Sequence, residues 1–206
     1  MVVPRTGTQE SVSGHFVGPL HTDRLVLRHY RRDDVDALLA FHRDPSVVRY
    51  LRDEPWTRAH AEEQVAKRMG FRRIDGPQSR IALVVELQHA AIGVVALWPV
   101  DESISIGEVG WIFNPAHGGH GYATEAGRAL LRLAFQHYGM HRVTAQLDPR
   151  NTASGKVCDR LGMTKEAHLR QDWWNKGEWS DTAVYGILRD EWVNGPAQPG
   201  SSATSQ

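Results

Sequence analysis

The chain has 206 residues, enough for one domain with a sizeable core. Its 24 basic and 24 acidic residues balance, which argues against a nucleic-acid or anionic-membrane surface. One cysteine excludes an intramolecular disulfide, no apolar run could span a bilayer, and the first twenty residues lack a basic stretch followed by an apolar one, so the cytoplasm is the expected location.

Residues 1–19 are polar and aperiodic and read as a flexible N-terminal arm. Leu25 and Leu27 alternate with polar neighbours as a strand. Asp33 and Asp34 open a helix that turns Leu38, Leu39 and Phe41 inward, and a second helix runs over residues 58–72 with Ala61, Val65 and Met69 at four-residue spacing. Residues 81–87 and 91–98 are β-rich and joined by Gln88-His89-Ala90, a hairpin signal, and residues 103–113 supply a third strand. A glycine-rich turn follows, then a helix over 124–138 whose buried stripe is Ala126, Leu130, Leu133 and Ala134. Residues 142–148 form the next strand, a short helix runs from Thr152 and stops at Gly162, and strands near 163–169 and 181–188 close the domain. Residues 194–206, rich in Pro, Gly, Ser and Ala, read as a disordered tail, leaving 20–193 as the folded domain.

The glycine turn, His117-Gly-Gly-His-Gly-Tyr-Ala-Thr-Glu-Ala126, carries the most information. Glycines let backbone N–H groups approach a ligand closely, and the helix start adds unpaired donors and a positive dipole end, a combination suited to phosphate. A Walker loop would need Lys-Ser or Lys-Thr after its last glycine, where Tyr122-Ala123 stand. A dinucleotide fold would place its glycines early in a parallel βαβ unit, whereas these follow a run of hairpin strands.

The order strand, Asn-Pro, Gly-x-Gly-Tyr-Ala-Thr-Glu-Ala turn, helix, strand, then Asn151-Thr-Ala-Ser-Gly-Lys-Val-Cys-Asp-Arg-Leu-Gly-Met163 resembles the GNAT superfamily of acyl-coenzyme A-dependent N-acyltransferases. It is most similar to the branch of ribosomal-protein alanine N-acetyltransferases. Thr22-Asp-Arg-Leu-Val-Leu-Arg28 resembles that branch's opening strand, and Gly177-Glu-Trp-Ser-Asp181 with Val184 to Trp192 resembles its close. The resemblance implies an α/β (α+β) GNAT fold. Its mixed, mostly antiparallel sheet would have about seven strands flanked by about four helices, splayed in the middle to admit acyl-coenzyme A. It implies acetyl-CoA as acyl donor, its pantetheine arm on the backbone of Trp111, Ile112 and Phe113. The pyrophosphate would lie on the turn formed by Gly118, Gly119, His120, Gly121, Tyr122, Ala123 and Thr124, with Asn151 and Ser154 also contacting the coenzyme. The superfamily pattern prefers Gln or Arg at the first turn position, where this chain has Gly118, so a looser loop is expected.

The implied chemistry is attack of an amine on a thioester, which calls for a base near the amine and a proton for the leaving thiolate. Glu108, on the strand beside the expected thioester position, is the candidate base, and partial burial would raise its pKa. Many superfamily members carry a tyrosine where this chain has Cys158. Ser154, one helical turn earlier, is the candidate proton donor, and Cys158 is assigned to packing. Trp56, Trp173 and Trp174 are candidate walls of the acceptor pocket. The eleven histidines show no closed metal-ligand spacing, so no metal is expected. The partners expected are an amine acceptor, either a protein N-terminus or a small molecule, with a homodimer left open. Two further readings stand beside amine acetylation: a bulkier acyl-coenzyme A as donor, and a non-catalytic acyl-coenzyme A sensor.

Overall fold

The computed structural model describes residues 14–76 and 79–194. Nine strands form one sheet in the order β1-β2-β4-β5-β6-β7-β9-β8, with β3 paired to β4 off this path. They are β1 (Leu20–His21), β2 (Val26–His29), β3 (Arg72–Arg73), β4 (Arg80–Leu87), β5 (Ala90–Pro99), β6 (Ile106–Phe113), β7 (Arg142–Leu147), β8 (Thr164–Asn175) and β9 (Glu178–Leu188). The α-helices are α1 (Val35–His42), α2 (Pro45–Val48), α3 (Arg58–Arg68), α4 (Tyr122–Arg132), α5 (Thr152–Arg160) and α6 (Arg189–Asn194). The sequence suggested about seven strands and four helices; the additions are two-residue strands and helices of four and six residues, too short for a period to register.

Each face of the sheet builds its own core. Leu25, Leu27, Leu83, Val95, Leu97 and Val109 join the stripe of α4 (Ala126, Leu130, Leu131) and α5's Val157 and Cys158 on one side. On the other, Tyr30, Ala82, Val84 and Val94 meet Leu38 and Phe41 of α1 and Ala61 and Val65 of α3. Between the two layers Ile81 to Val85 are all buried, which is why β4 reads as an unbroken apolar run rather than an alternation. Gln88 and His89 both have positive φ (48° and 69°) and close the β4–β5 hairpin in two residues, the left-handed pair that matches strand twist.

Residues 14–19 depart from the expected flexible arm. Phe16 is buried in the core, its N–H donates to the Arg72 carbonyl at 2.8 Å, and His15 bridges to Arg73. One aromatic ring with a cavity to fill outweighs its polar neighbours. The rest of the expected arm, residues 1–13, and the expected tail from 195 onward lie outside the described residues.

The sheet opens in its centre. Strand β6 pairs antiparallel with β5 from Gly107 to Phe113, but it meets β7 in parallel only over Ile106–Glu108 against Arg142–Thr144. Beyond Glu108 the strands part, β7 continuing to Leu147 on β9, so the β7-facing edge of β6 from Val109 onward has no ladder partner among the described residues. No helix among the described residues is long and apolar enough to cross a membrane.

Candidate active site

The glycine turn sits at the mouth of this opening. Asn114 starts it, its side chain accepting from the Ala116 N–H at 3.0 Å, and a single 3₁₀ turn covers Pro115–His117. Gly119 and Gly121 then take φ of +80° and +79°, and α4 begins at Tyr122. A Cβ on Gly119 would meet nothing within 4 Å, and one on Gly121 only the end of Arg24 at 3.8 Å. Backbone conformation, not crowding by protein, therefore calls for glycine at both, and the first N–H groups of α4 have no side-chain cap. Thr124 is buried there, its Oγ1 without a hydrogen-bond partner among the described residues.

Gly118 has extended backbone, and a Cβ on it would lie 3.0 Å from the Pro115 carbonyl oxygen, a tight contact that glycine avoids. The turn is also contacted from outside. Arg24 reaches across from the N-terminal segment, donates Nη1 to the His120 carbonyl at 3.0 Å and pairs with Glu125 at 2.6 Å. Glu125 also accepts from Thr22 Oγ1 at 2.6 Å, so the loop and the start of α4 are braced from outside.

A cleft of about 1700 Å³ runs from this turn into the splayed sheet. All the expected coenzyme-binding positions line it: Trp111, Ile112 and Phe113 on β6, Gly118 to Thr124 in the turn, and Asn151 and Ser154 at the start of α5. So do Arg24, Arg128, Arg132, Lys156 and Arg160, basic residues that the motif reading missed. Their signal was present as two i,i+4 basic pairs, one on α4 and one on α5, which place both charges of each pair on one helix face. Uncapped first-turn donors, an orphaned buried hydroxyl and a cationic rim fit a phosphorylated acyl carrier.

A second cavity of about 260 Å³ lies on the α1–α3 side of the sheet. Tyr50, Leu51, Trp111, Ile112, Asn151 and Ser154 line both spaces, so the cavities meet at these side chains. Trp111 Nε1 donates to Ser154 Oγ at 3.3 Å, and Asn151 caps α5 by accepting from the Ser154 N–H at 3.1 Å. Ser154 is thus oriented from two elements at the junction.

Glu108 lies on the same face of β6 as Gly110 and Ile112, which line the smaller cavity. It is not itself a wall of that cavity, but Gln146, which is, donates to its Oε2 at 3.0 Å. Burial raises the Glu108 pKa above the ordinary carboxylate value, opposed by the Gln146 hydrogen bond and by the charges of Arg80 and Arg52. A carboxylate so held is better able to accept a proton at neutral pH than an exposed one.

Residues 24–164 match the acetyltransferase (GNAT) domain family. The chain belongs to the GNAT acetyltransferase family. An uncharacterized N-acetyltransferase, p20 of Bacillus licheniformis, is 28% identical over 174 residues, covering 84% of this chain and 98% of p20. The ribosomal protein uS5-alanine N-acetyltransferase of Escherichia coli, from the branch the sequence suggested, is 24% identical over 85% of this chain and 93% of its own length. Among solved structures, a GNAT-family acetyltransferase from Bacillus anthracis superposes with a TM-score of 0.77 at 27% identity, covering 84% of this chain and all of that one. Spermidine N-acetyltransferase from Vibrio cholerae, solved with CoA and spermine, gives 0.70 at 22% identity over 84% of this chain and all of that one, a likeness of fold.

Three expected pocket residues of this GNAT domain lie elsewhere. Trp56 is 3% exposed and stacks on His42 (ring centroids 3.9 Å) beneath α1 and α3, because its indole fills that core. Trp173 and Trp174 sit far along β8, where Trp174 is 57% exposed and packs edge-on against its cross-strand neighbour Trp179 at 5.4 Å. None of the three lines either cavity. Cys158 points into the core under α4, lines neither cavity, and burial pushes its thiol up to about 12. Among the described residues no group of three or more His, Cys, Asp or Glu could hold a metal ion.

Proposed function

We propose that this GNAT domain transfers an acetyl group from acetyl-CoA to a primary amine in the cytoplasm, by direct attack of the amine on the thioester. The observation that carries the reading is the meeting of two cavities at Trp111, Asn151 and Ser154, with the Glu108–Gln146 pair on the acceptor side. In this reading the N–H groups of Gly119 to Thr124 bind the pyrophosphate, Arg128, Lys156 and Arg160 offer charge to the outer phosphate, and the free edge of β6 binds the amide-bearing arm. What acetyl-CoA supplies is a thioester carbonyl ready for attack.

The chain's own residues manage the protons. An alkyl ammonium with a pKa of about 10 must lose a proton before it can attack. Glu108, directly or through water, takes it. As the C–N bond forms and the C–S bond breaks, Ser154 donates its hydroxyl proton to the sulfur and is reprotonated, through water, by the second proton that the attacking nitrogen sheds. Cys158, with its raised pKa and buried position, is ill placed for either task.

The test follows free thiol with a thiol-reactive dye as the full chain is mixed with acetyl-CoA and a panel of small amines and N-terminal peptides. Amine-dependent thiol release with formation of the N-acetyl product is expected. Faster release from a bulkier acyl-coenzyme A would reassign the donor. Coenzyme binding with no thiol released from any amine would make the domain a sensor.

A further inference from the structure

The smaller cavity carries an unusual charge. Arg80, the first residue of β4, and Arg68, the last of α3, both line it. Among the described residues the Arg80 side chain makes no hydrogen bond and no ion pair; its guanidinium lies over the Trp98 ring at 4.5 Å and nearer that ring than the Phe71 ring at 5.7 Å. Arg68 stacks over Trp56 at 5.0 Å, and its Nη2 stands 3.8 Å from Asp53. Its Nη1 is buried with no hydrogen-bond partner among the described residues.

Asp53 offsets Arg68 alone, and the other acids nearby leave Arg80 unbalanced. Asp148 lines the cavity, but its carboxylate is taken up by Arg150, which donates Nη2 at 2.7 Å and Nε at 3.0 Å. Glu108 acts on Arg80 only from the edge of the cavity, and in the proposed reaction it must take up a proton. Burial and then the charge of Arg68 both lower the Arg80 pKa, so the two cations oppose each other across one wall. Asp53 serves Arg68 from 3.8 Å while Arg80 has no ion-pair partner among the described residues, and an anion between the two would relieve both the desolvation of Arg80 and the repulsion.

We propose that the acceptor is a small primary amine bearing a carboxylate, the carboxylate seated on Arg80 and Arg68 and the amine turned toward Glu108 and Gln146. A planar guanidinium is matched to a carboxylate by shape as well as by charge. A cavity of about 260 Å³ accommodates a small molecule of amino-acid size. A polyamine would bring a second ammonium against two cations, so the substrate named for the Vibrio cholerae relative is disfavoured for this chain. The proposal rests on the reading of the domain as an amine acetyltransferase.

The experiment compares the twenty common amino acids, their carboxamides and spermidine, using thiol release from acetyl-CoA and thermal shift in the presence of CoA. For at least one amino acid, kcat/KM should exceed that of its amide by ~tenfold or more, the effect of one charge-assisted contact, and only the acid should raise Tm. In Arg80→Gln the acid-to-amide ratio should fall to near one, chiefly through KM. Its Tm without ligand should hold or rise, because an unpaired, half-buried charge has been removed. A merely structural arginine would lower Tm instead. Preference for amides or spermidine, or an acid preference that survives Arg80→Gln, would overturn the proposal while leaving amine acetylation standing. No thermal shift from any amino acid would also overturn it. Loss of thiol release with every amine, acid shifts notwithstanding, would sink the acetyltransferase reading instead.

Discussion

At Glu108 three influences meet on one carboxylate: burial that disfavours its charge, a 3.0 Å hydrogen bond from Gln146 and the field of Arg80 and Arg52 that favour it. Burial prevails, so the group is tuned toward proton uptake. Glu108→Gln keeps the size and can still pair with Gln146, but it accepts no proton. Its rate at neutral pH should fall on the order of a hundredfold and recover in part as pH approaches the amine's own pKa. A wild-type pH–rate profile in that variant would show Glu108 to be structural. Ser154→Ala should lower kcat more than coenzyme affinity, while Cys158→Ala should lower Tm and spare turnover, since its side chain packs beneath α4 away from both cavities. Loss of turnover in a folded Cys158→Ala protein would reverse the two roles.

Among the elements, the turn into α4 matters most, because in the proposed function its backbone rather than its side chains binds the phosphates. Gly121 is held at φ +79° with its nearest neighbour 3.8 Å away, so a valine there suffers from conformation and not from packing. Gly121→Val should therefore lose about 1–3 kcal/mol of stability and, by shifting the first-turn N–H groups, most of the acetyl-CoA-dependent rise in Tm. An undiminished thermal shift with acetyl-CoA would refute the phosphate assignment. The β8–β9 hairpin acts at longer range. Its tip returns to the segment before α3, where Lys176 Nζ donates to the Val48 carbonyl at 2.6 Å and Asn175 Nδ2 to the Leu51 carbonyl at 3.3 Å. Those bonds hold the stretch that supplies Tyr50 and Leu51 to both cavities.

For the whole molecule, the core beneath α1 and α3 links stability to pH. His42 is fully buried, its Nδ1 bonded to the Leu38 carbonyl at 2.9 Å and its ring stacked on Trp56, and burial pushes its pKa down to about 4. The unfolded chain binds the proton near pH 6.5, the folded one only near 4, so stability falls as pH drops through that window. The loss approaches about 3 kcal/mol at the acid end, given about 1.4 kcal/mol per pKa unit. His42→Phe keeps the stacking and removes the titration. The Tm difference between wild type and His42→Phe should thus move in the variant's favour between pH 7 and pH 4.5, and a constant difference would show that His42 is not the linked group. The carboxylates held below their usual range, such as Asp148 and Glu166, titrate in both proteins and cancel in the comparison.

Much of this was legible locally. The glycine turn, the hairpin at Gln88-His89-Ala90 and the α4 stripe each depend on neighbours within a few residues, so their chemistry is written in sequence order. The sheet's opening was readable only through the resemblance, since nothing within β6 or β7 alone says that their pairing stops at Glu108. Gln146 on Glu108, Arg24 on Glu125 and Arg68 beside Arg80 join residues far apart or on different elements, and no period connects them. The tryptophans teach the same lesson from the other side. An indole is equally at home in a core, a pocket wall or a surface pair. Trp56 went to the core and Trp174 to the hairpin surface because of which neighbours packing brought to them. Sequence determined the local elements and the glycine turn, because backbone conformation and periodicity are short-range. Tertiary structure alone decided the charge and shape of the smaller cavity, because those arise from side chains that meet only when the sheet is assembled.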